Sequence, residues 1–163
     1  MRAWIAALLL LSSLSAFGQV RVIRPTVKRA TPAAELAVKR WMQTESSPSL
    51  DTLRGRVVLL DFWGTWCRPC VDAIPKVTDF ARTKPEVSVI GIHSERGAGK
   101  LPKFLEQNPF PIPIGIDTGA TASAYRVRGW PTYVLIDRKS RVRYRGHSLP
   151  KDDLIDVLIA EEP

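Results

Sequence analysis

The chain has 163 residues, 45% of them apolar, with 24 Lys and Arg against 16 Asp and Glu for a formal charge of +8. That length and composition suit one globular domain with a real core. With two cysteines and two histidines in all, a four-ligand structural zinc site is weak, since there is no second cysteine pair to close it. No nucleic-acid module accompanies the positive charge.

The first residues carry an export pattern: Arg2, the apolar run Trp4 to Leu11, then Ser12 to Ala16, with no further charge until Arg21. The run is shorter than the roughly 20 residues that a spanning helix needs. Ala16 and Gly18 supply small residues at the minus-three and minus-one positions, so residues 1–18 read as a signal peptide cleaved after Gly18. The alternative is an uncleaved anchor, which would be the chain's only contact with a membrane. Both readings put the domain outside the cytosol, periplasmic or secreted. Residues 19–35, with Arg21, Arg24, Pro25, Lys28, Arg29 and Pro32, read as a basic flexible leader, and the domain is expected over 36–163.

Residues 33–44 fit either a helix carrying Leu36, Lys39 and Arg40 or a strand through Arg40 to Gln43. The run 57–63 (VVLLDFW) fits a central strand buried on both faces. After it come Cys67 and Cys70, then Val71, Ile74, Val77 and Ala81 at helical spacing, so the cysteine pair opens a helix. Pro69 suits its first turn and Pro75 is expected to kink it. Val87 to Ile92 completes a strand–helix–strand unit with parallel pairing. A loop over Ser94 to Gly99 precedes a short helix with Leu101, Phe104 and Leu105 inward. Pro109, Pro111 and Pro113 then favour an edge or a loop reaching Ile116. Thr132 to Ile136 reads as a buried strand, Asp137 to Ser140 as a turn and Arg141 to Arg145 as the hairpin partner. Alternation there would put Arg141, Arg143 and Arg145 on one face and Val142 and Tyr144 on the other, either a solvated face or a basic docking surface. A last helix opens near Pro150, turning Leu154, Val157 and Leu158 inward. The fold class is α/β, a central mixed sheet flanked by helices.

The spacing Cys67-Arg68-Pro69-Cys70 decides what the cysteines do. A bridge across so small a ring is worth only about 2 kcal/mol in chain entropy, against about 4.7 for a 100-residue loop, so redox chemistry is a better reading than a staple. A cysteine at a helix N-terminus meets unpaired N–H groups and the positive dipole end, which favour the thiolate. Cys67, expected exposed, is therefore the nucleophile, and the more buried Cys70 resolves the mixed disulfide. Asp61, on the central strand, is the candidate acid/base, or else a satisfied structural polar group. Trp66 reads as exposed and available for docking, Trp63 as packed. His93 reads as a solvated or core histidine, and Asp117, Asp137 and His147 as loop or cap residues. A copper-binding module that presents Cys67 and Cys70 is the alternative from another class. A peroxidase is weaker, because Thr65-Trp66-Cys67 lacks the Thr-x-x-Cys spacing.

The stretch VVLLDFWGTWCRPC, five residues before Pro75, resembles the thioredoxin family, and YRVRGWPT over 125–132 resembles its cis-proline loop. With the export pattern, the chain most resembles the exported TlpA/ResA-type thioredoxin-like proteins, over roughly residues 50–160. The resemblance implies a thioredoxin-like fold and a thiol–disulfide oxidoreductase, reducing more than oxidising, with the Cys67–Cys70 disulfide as its redox group and no other cofactor. Its partners would be protein thiols and disulfides, with a second protein to recharge it. The resemblance also implies a cis bond before Pro131 and a substrate backbone lying against Trp130, a bulkier residue than the family usually carries there. Asp61 matches the buried aspartate of thioredoxins. The glutamate that many TlpA-type proteins keep three residues after the second cysteine is Ala73 here.

Overall fold

The computed structural model describes residues 30–162; the expected signal peptide and the leader up to residue 29 lie outside them. Seven strands, β1 (Thr31–Pro32), β2 (Val38–Met42), β3 (Val57–Trp63), β4 (Val87–His93), β5 (Ile114–Asp117), β6 (Thr132–Ile136) and β7 (Arg141–Gly146), form one mixed sheet in the order β1-β7-β6-β3-β4-β5-β2. Four α-helices accompany it: α1 (Arg68–Thr83), α2 (Leu101–Gln107), α3 (Ala120–Ala124) and α4 (Asp152–Ala160). β3 pairs parallel with β4 and antiparallel with β6, so it is the central strand, and all seven of its residues are buried.

Period-two alternation along β3 feeds two cores. Val57, Leu59 and Trp63 join Cys67, Cys70, Ile74, Val77 and Phe80 of the α1 side together with Leu154, Ile155 and Leu158 of α4. Val58, Leu60 and Phe62 join Ile90, Ile92, Val134 and Tyr125 on the opposite face. Each face is covered, which is why the run is apolar throughout rather than alternating. Asp61 takes the place of an apolar residue between Leu59 and Trp63 on the α1 face.

Four expectations change, and one left open is settled. Thr31–Pro32, placed in the leader, pairs with Val142 and Arg141 at the sheet edge, and Ala33 and Ala34 pack on the second core. Residues 38–42 are the strand of the two alternatives, because β5 offers a partner to the antiparallel register Val38↔Asp117 to Met42↔Ile114. For the same reason the proline-flanked β5 is an inner strand and β2 the edge; the prolines precede it, and Pro113 contributes its carbonyl to the Gly91 N–H at 2.9 Å. In the hairpin, a register shift beside Leu135 and Ile136 interrupts the alternation of β7. Val142 therefore packs on the second core and Tyr144 on the first, which a bulge allows and a regular strand does not. In α4 it is Ile155, fully buried, that takes the inward place expected of the half-buried Val157.

Arg141 and Arg143 are spoken for within the domain. Both donate to the buried Asp137 carboxylate, at 2.9 Å from Arg141 Nε and 3.0 Å from Arg143 Nη1, and Arg143 also reaches Glu161 at 2.7 Å. Asp137 further accepts the backbone N–H groups of Lys139 and Arg141. Burial opposes its charge, yet the hydrogen bonds from the two arginines hold the carboxyl below its ordinary value. Asp137 is thus a structural hub rather than a plain turn residue.

Candidate functional site

α1 begins at Cys67, its N-cap, in extended backbone (φ −94°, ψ 99°). The Cys67 Sγ accepts the Cys70 N–H at 3.3 Å, and Cys67 N–H donates to Gly64 O at 2.9 Å. A disulfide joins Cys67 to Cys70, with Cα atoms 5.3 Å apart. Pro69 lies in the first turn, where a missing N–H costs no hydrogen bond, and the helix runs on through Pro75 to Thr83. The expected difference in exposure between the cysteines is absent: Cys67 is 5% and Cys70 4% exposed. Both joined cysteines lie in the core that also holds Ile74 and Tyr133 and against which Trp130 packs, so the distinction rests on the N-cap position of Cys67 and not on access.

The loop between β3 and α1 is tied down by residues from the end of β4. His93, fully buried, accepts the Thr65 N–H on Nε2 at 3.0 Å and donates from Nδ1 to Ser94 O at 2.6 Å. That pair of roles needs the neutral ring, and burial accordingly lowers its pKa, against the pull of the Ser94 carbonyl. Trp63 meets the imidazole edge-on at 4.9 Å. Gly97, at φ +82°, allows the next turn to approach: a Cβ there would lie 2.8 Å from Thr65 Oγ1.

Trp66 is the large apolar side chain left exposed among the described residues, at 38%. It is held in place nonetheless. Its indole N–H donates to Ser94 Oγ at 2.8 Å, the Arg96 guanidinium lies 4.5 Å from its ring centre, and the Trp130 ring meets it edge-on at 5.9 Å. Trp130 also contacts Phe62 on the second core, so an aromatic bridge links the cysteine loop to the loop before β6. The Trp130–Pro131 peptide bond in that loop is cis. Thr132 Oγ1 donates to Gly129 O at 2.7 Å, and His147 Nδ1 donates to Pro131 O at 2.7 Å. The structure thus brings Cys67, Cys70, Trp66, Trp130 and Pro131 together at one end of the sheet.

Asp61 lies two residues before Trp63 on the same face of β3, the face of the cysteine core, and is 3% exposed. Among the described residues its Oδ1 meets no hydrogen-bond partner. Desolvation pushes its pKa from 3.8 up to about 7. Ala73 is half-buried on α1 and supplies no carboxylate. His93 is the core histidine of the two readings the sequence offered, and His147 lies in a loop as expected; what the sequence did not signal is that Ser94 and Arg96 hold Trp66, since neither belongs to a motif. Among the described residues no group of three or more His, Cys, Asp or Glu side chains is arranged to hold a metal ion.

Comparison with known proteins agrees with this geometry. The chain is 35% identical over 114 residues to Protein DipZ of Mycobacterium bovis, covering 64% of this chain and 16% of DipZ. It is 32% identical over 96 residues to the thiol-disulfide oxidoreductase ResA of Bacillus cereus, covering 57% of this chain and 56% of ResA. The chain therefore spans little more than half the length of ResA and about a sixth of DipZ. A thiol-disulfide isomerase from Corynebacterium glutamicum superposes with a TM-score of 0.68 at 27% identity, over 80% of this chain and 97% of that one. The model of the AhpC/TSA family matches residues 27–145, from the sheet edge at β1 through both the cysteine and the cis-proline loops, and this thioredoxin-like chain belongs to that family.

Proposed function

We propose that the protein is an extracytoplasmic thiol–disulfide oxidoreductase that acts on cysteines of other proteins, chiefly as a reductant. The observation that carries this reading is the Cys67–Cys70 disulfide at the start of α1, with Cys67 as N-cap beside a cis-proline loop. In the reducing direction the Cys67 thiolate attacks one sulfur of a client disulfide, and the other client sulfur leaves as a thiolate. Cys70, giving its proton to Asp61, then attacks Cys67 Sγ. The second client sulfur leaves as thiolate, and the internal disulfide forms. Two electrons pass to the client, and a dithiol partner must return them. The backbone N–H groups at the helix start, including the Cys70 N–H already aimed at Cys67 Sγ, stabilise the attacking thiolate.

Trp66 and Trp130 form the surface that receives the client, and the resemblance to thioredoxins puts Pro131 against the disulfide. Export rests on the signal-peptide pattern of residues 1–18, with the mature domain following the basic leader. The relatives named as thiol-disulfide proteins support the chemistry, and the reducing direction follows the TlpA/ResA-type resemblance. Copper binding would have to use the two sulfurs with ligands from elsewhere.

Trapping tests the mechanism. Cys70→Ser should accumulate mixed disulfides with clients and Cys67→Ser none, since attack survives in the first variant only. Equal trapping by both would remove the two-step scheme. Titration of the disulfide against glutathione gives the potential and hence the direction.

A further inference from the structure

The charge that the hairpin arginines were expected to present lies elsewhere. Arg141 and Arg143 are neutralised by Asp137 and Glu161, whereas Arg145 is exposed and lines a cleft of about 390 Å³ with Arg126, Arg128, Thr132, Gly146 and His147. Among the described residues no carboxylate lines this cleft. Among the described residues no salt bridge involves Arg126, Arg128 or Arg145. A neighbouring cleft of about 290 Å³, again without a carboxylate among the described residues, shares Arg126 and Arg145 and runs to Pro32 at the sheet edge.

The parts of the cleft are held in position. Arg145 Nη1 donates to Tyr125 O at 3.1 Å, and Arg126 is set in left-handed backbone at φ 53°. His147 donates to the carbonyl of Pro131 itself, and Thr132 follows that proline in the chain. The cleft therefore begins where the cis-proline loop ends, and the Trp66–Trp130 contact places that loop beside the cysteines.

We propose that this cleft is an acidic-residue subsite: a client segment lying across Trp130 and Pro131 puts an Asp or Glu side chain among Arg126, Arg128, Arg145 and His147. The inference rests on the oxidoreductase reading for the presence of a client. It adds that the preferred clients carry carboxylates close to their cysteines. A peptide is the occupant favoured over nucleic acid because the cleft continues from the loop proposed to receive the client, and among the described residues no Trp, Tyr or Phe lines it to stack a base.

Binding and chemistry can be read separately. Fluorescence anisotropy of the full, oxidised protein would use two labelled peptides with serine in place of the client cysteines, one flanked by Glu and the other by Gln. At about 0.15 M salt, where exposed charges act over roughly 8 Å, the Glu peptide should bind about tenfold more tightly, equal to about 1.4 kcal/mol. Arg126→Asn with Arg128→Gln should bring the ratio near one; asparagine tolerates the left-handed backbone. Arg128→Gln alone, on exposed surface, should lose about threefold and covers the case of a poorly folded double variant. Lys76→Gln with Lys103→Gln removes two exposed charges outside the cleft and should keep the ratio. A ratio near one in the unaltered protein, an equal loss in the lysine variant, or tighter binding of an oligonucleotide through the same arginines would overturn the subsite. Reduction of neutral hydroxyethyl disulfide by the dithiol protein tests the oxidoreductase reading independently, so either can fail alone.

Discussion

Replacing Asp61 with asparagine should make the oxidised protein more stable at alkaline pH while slowing its chemistry. A carboxyl raised from 3.8 to about 7 on folding stays protonated in the native state over a range where the unfolded chain has released its proton. The unfolded state then binds fewer protons, so stability falls as pH rises from about 4 to about 8. At about 1.36 kcal/mol per pH unit, the penalty above pH 8 reaches about 4 kcal/mol. Asparagine removes that penalty but buries an amide with no assured partner, which costs about 1–3 kcal/mol, so the net gain at pH 8 is about 1–3 kcal/mol. Below pH 4 only the amide cost remains, and the variant should be the less stable protein. Urea unfolding of both oxidised proteins at pH 4 and pH 8 tests the sign change. Comparing variant with parent also cancels His93, whose lowered pKa gives the opposite slope in both. A difference in unfolding free energy that does not change between pH 4 and pH 8 would show that the carboxyl titrates as in the unfolded chain, and the proton-relay argument would fall with it.

Three further outcomes are expected. Stopped-flow separation of the two redox steps should find that Asp61→Asn slows resolution by Cys70 on the order of 100-fold while attack by Cys67 changes little, and that Ala73→Glu restores part of the rate; an unchanged resolution rate counts against Asp61. Asp137→Asn should cost about 3 kcal/mol in urea unfolding at neutral pH by leaving Arg143, whose side chain is 11% exposed, short of a charge partner. The parent's own advantage should be lost as pH falls below about 4, because that carboxyl is held below its ordinary value in the fold; a cost independent of pH would refute the hub. Gly64→Ala places a Cβ 2.6 Å from Trp66 Nε1, so it should break the Ser94 bond, shift tryptophan fluorescence and slow attack on protein clients more than on a small disulfide.

The local code was sufficient for much of this molecule. An uninterrupted apolar run could only be a strand covered on both faces, and 57–63 is β3 to the residue; a CxxC at the head of an amphipathic repeat had to cap a helix, and Cys67 does. Aspartate in that apolar run marked itself as the buried acid, since nothing else there is charged. What escaped was whatever depends on pairing between distant segments. Residues 38–42 have no decisive period of their own and became a strand because β5 was open beside them. The alternation of arginines in β7 was real in the sequence, but one bulge sent Val142 and Tyr144 to opposite faces, and Asp137 drew two of the three arginines inward. Which charges stay free for a partner depends on the bulged hairpin that carries Arg141 and Arg143 to Asp137, and how deeply two cysteines three residues apart are covered depends on Trp130 and Tyr133 from a distant loop and strand; only the folded sheet brings these groups into contact.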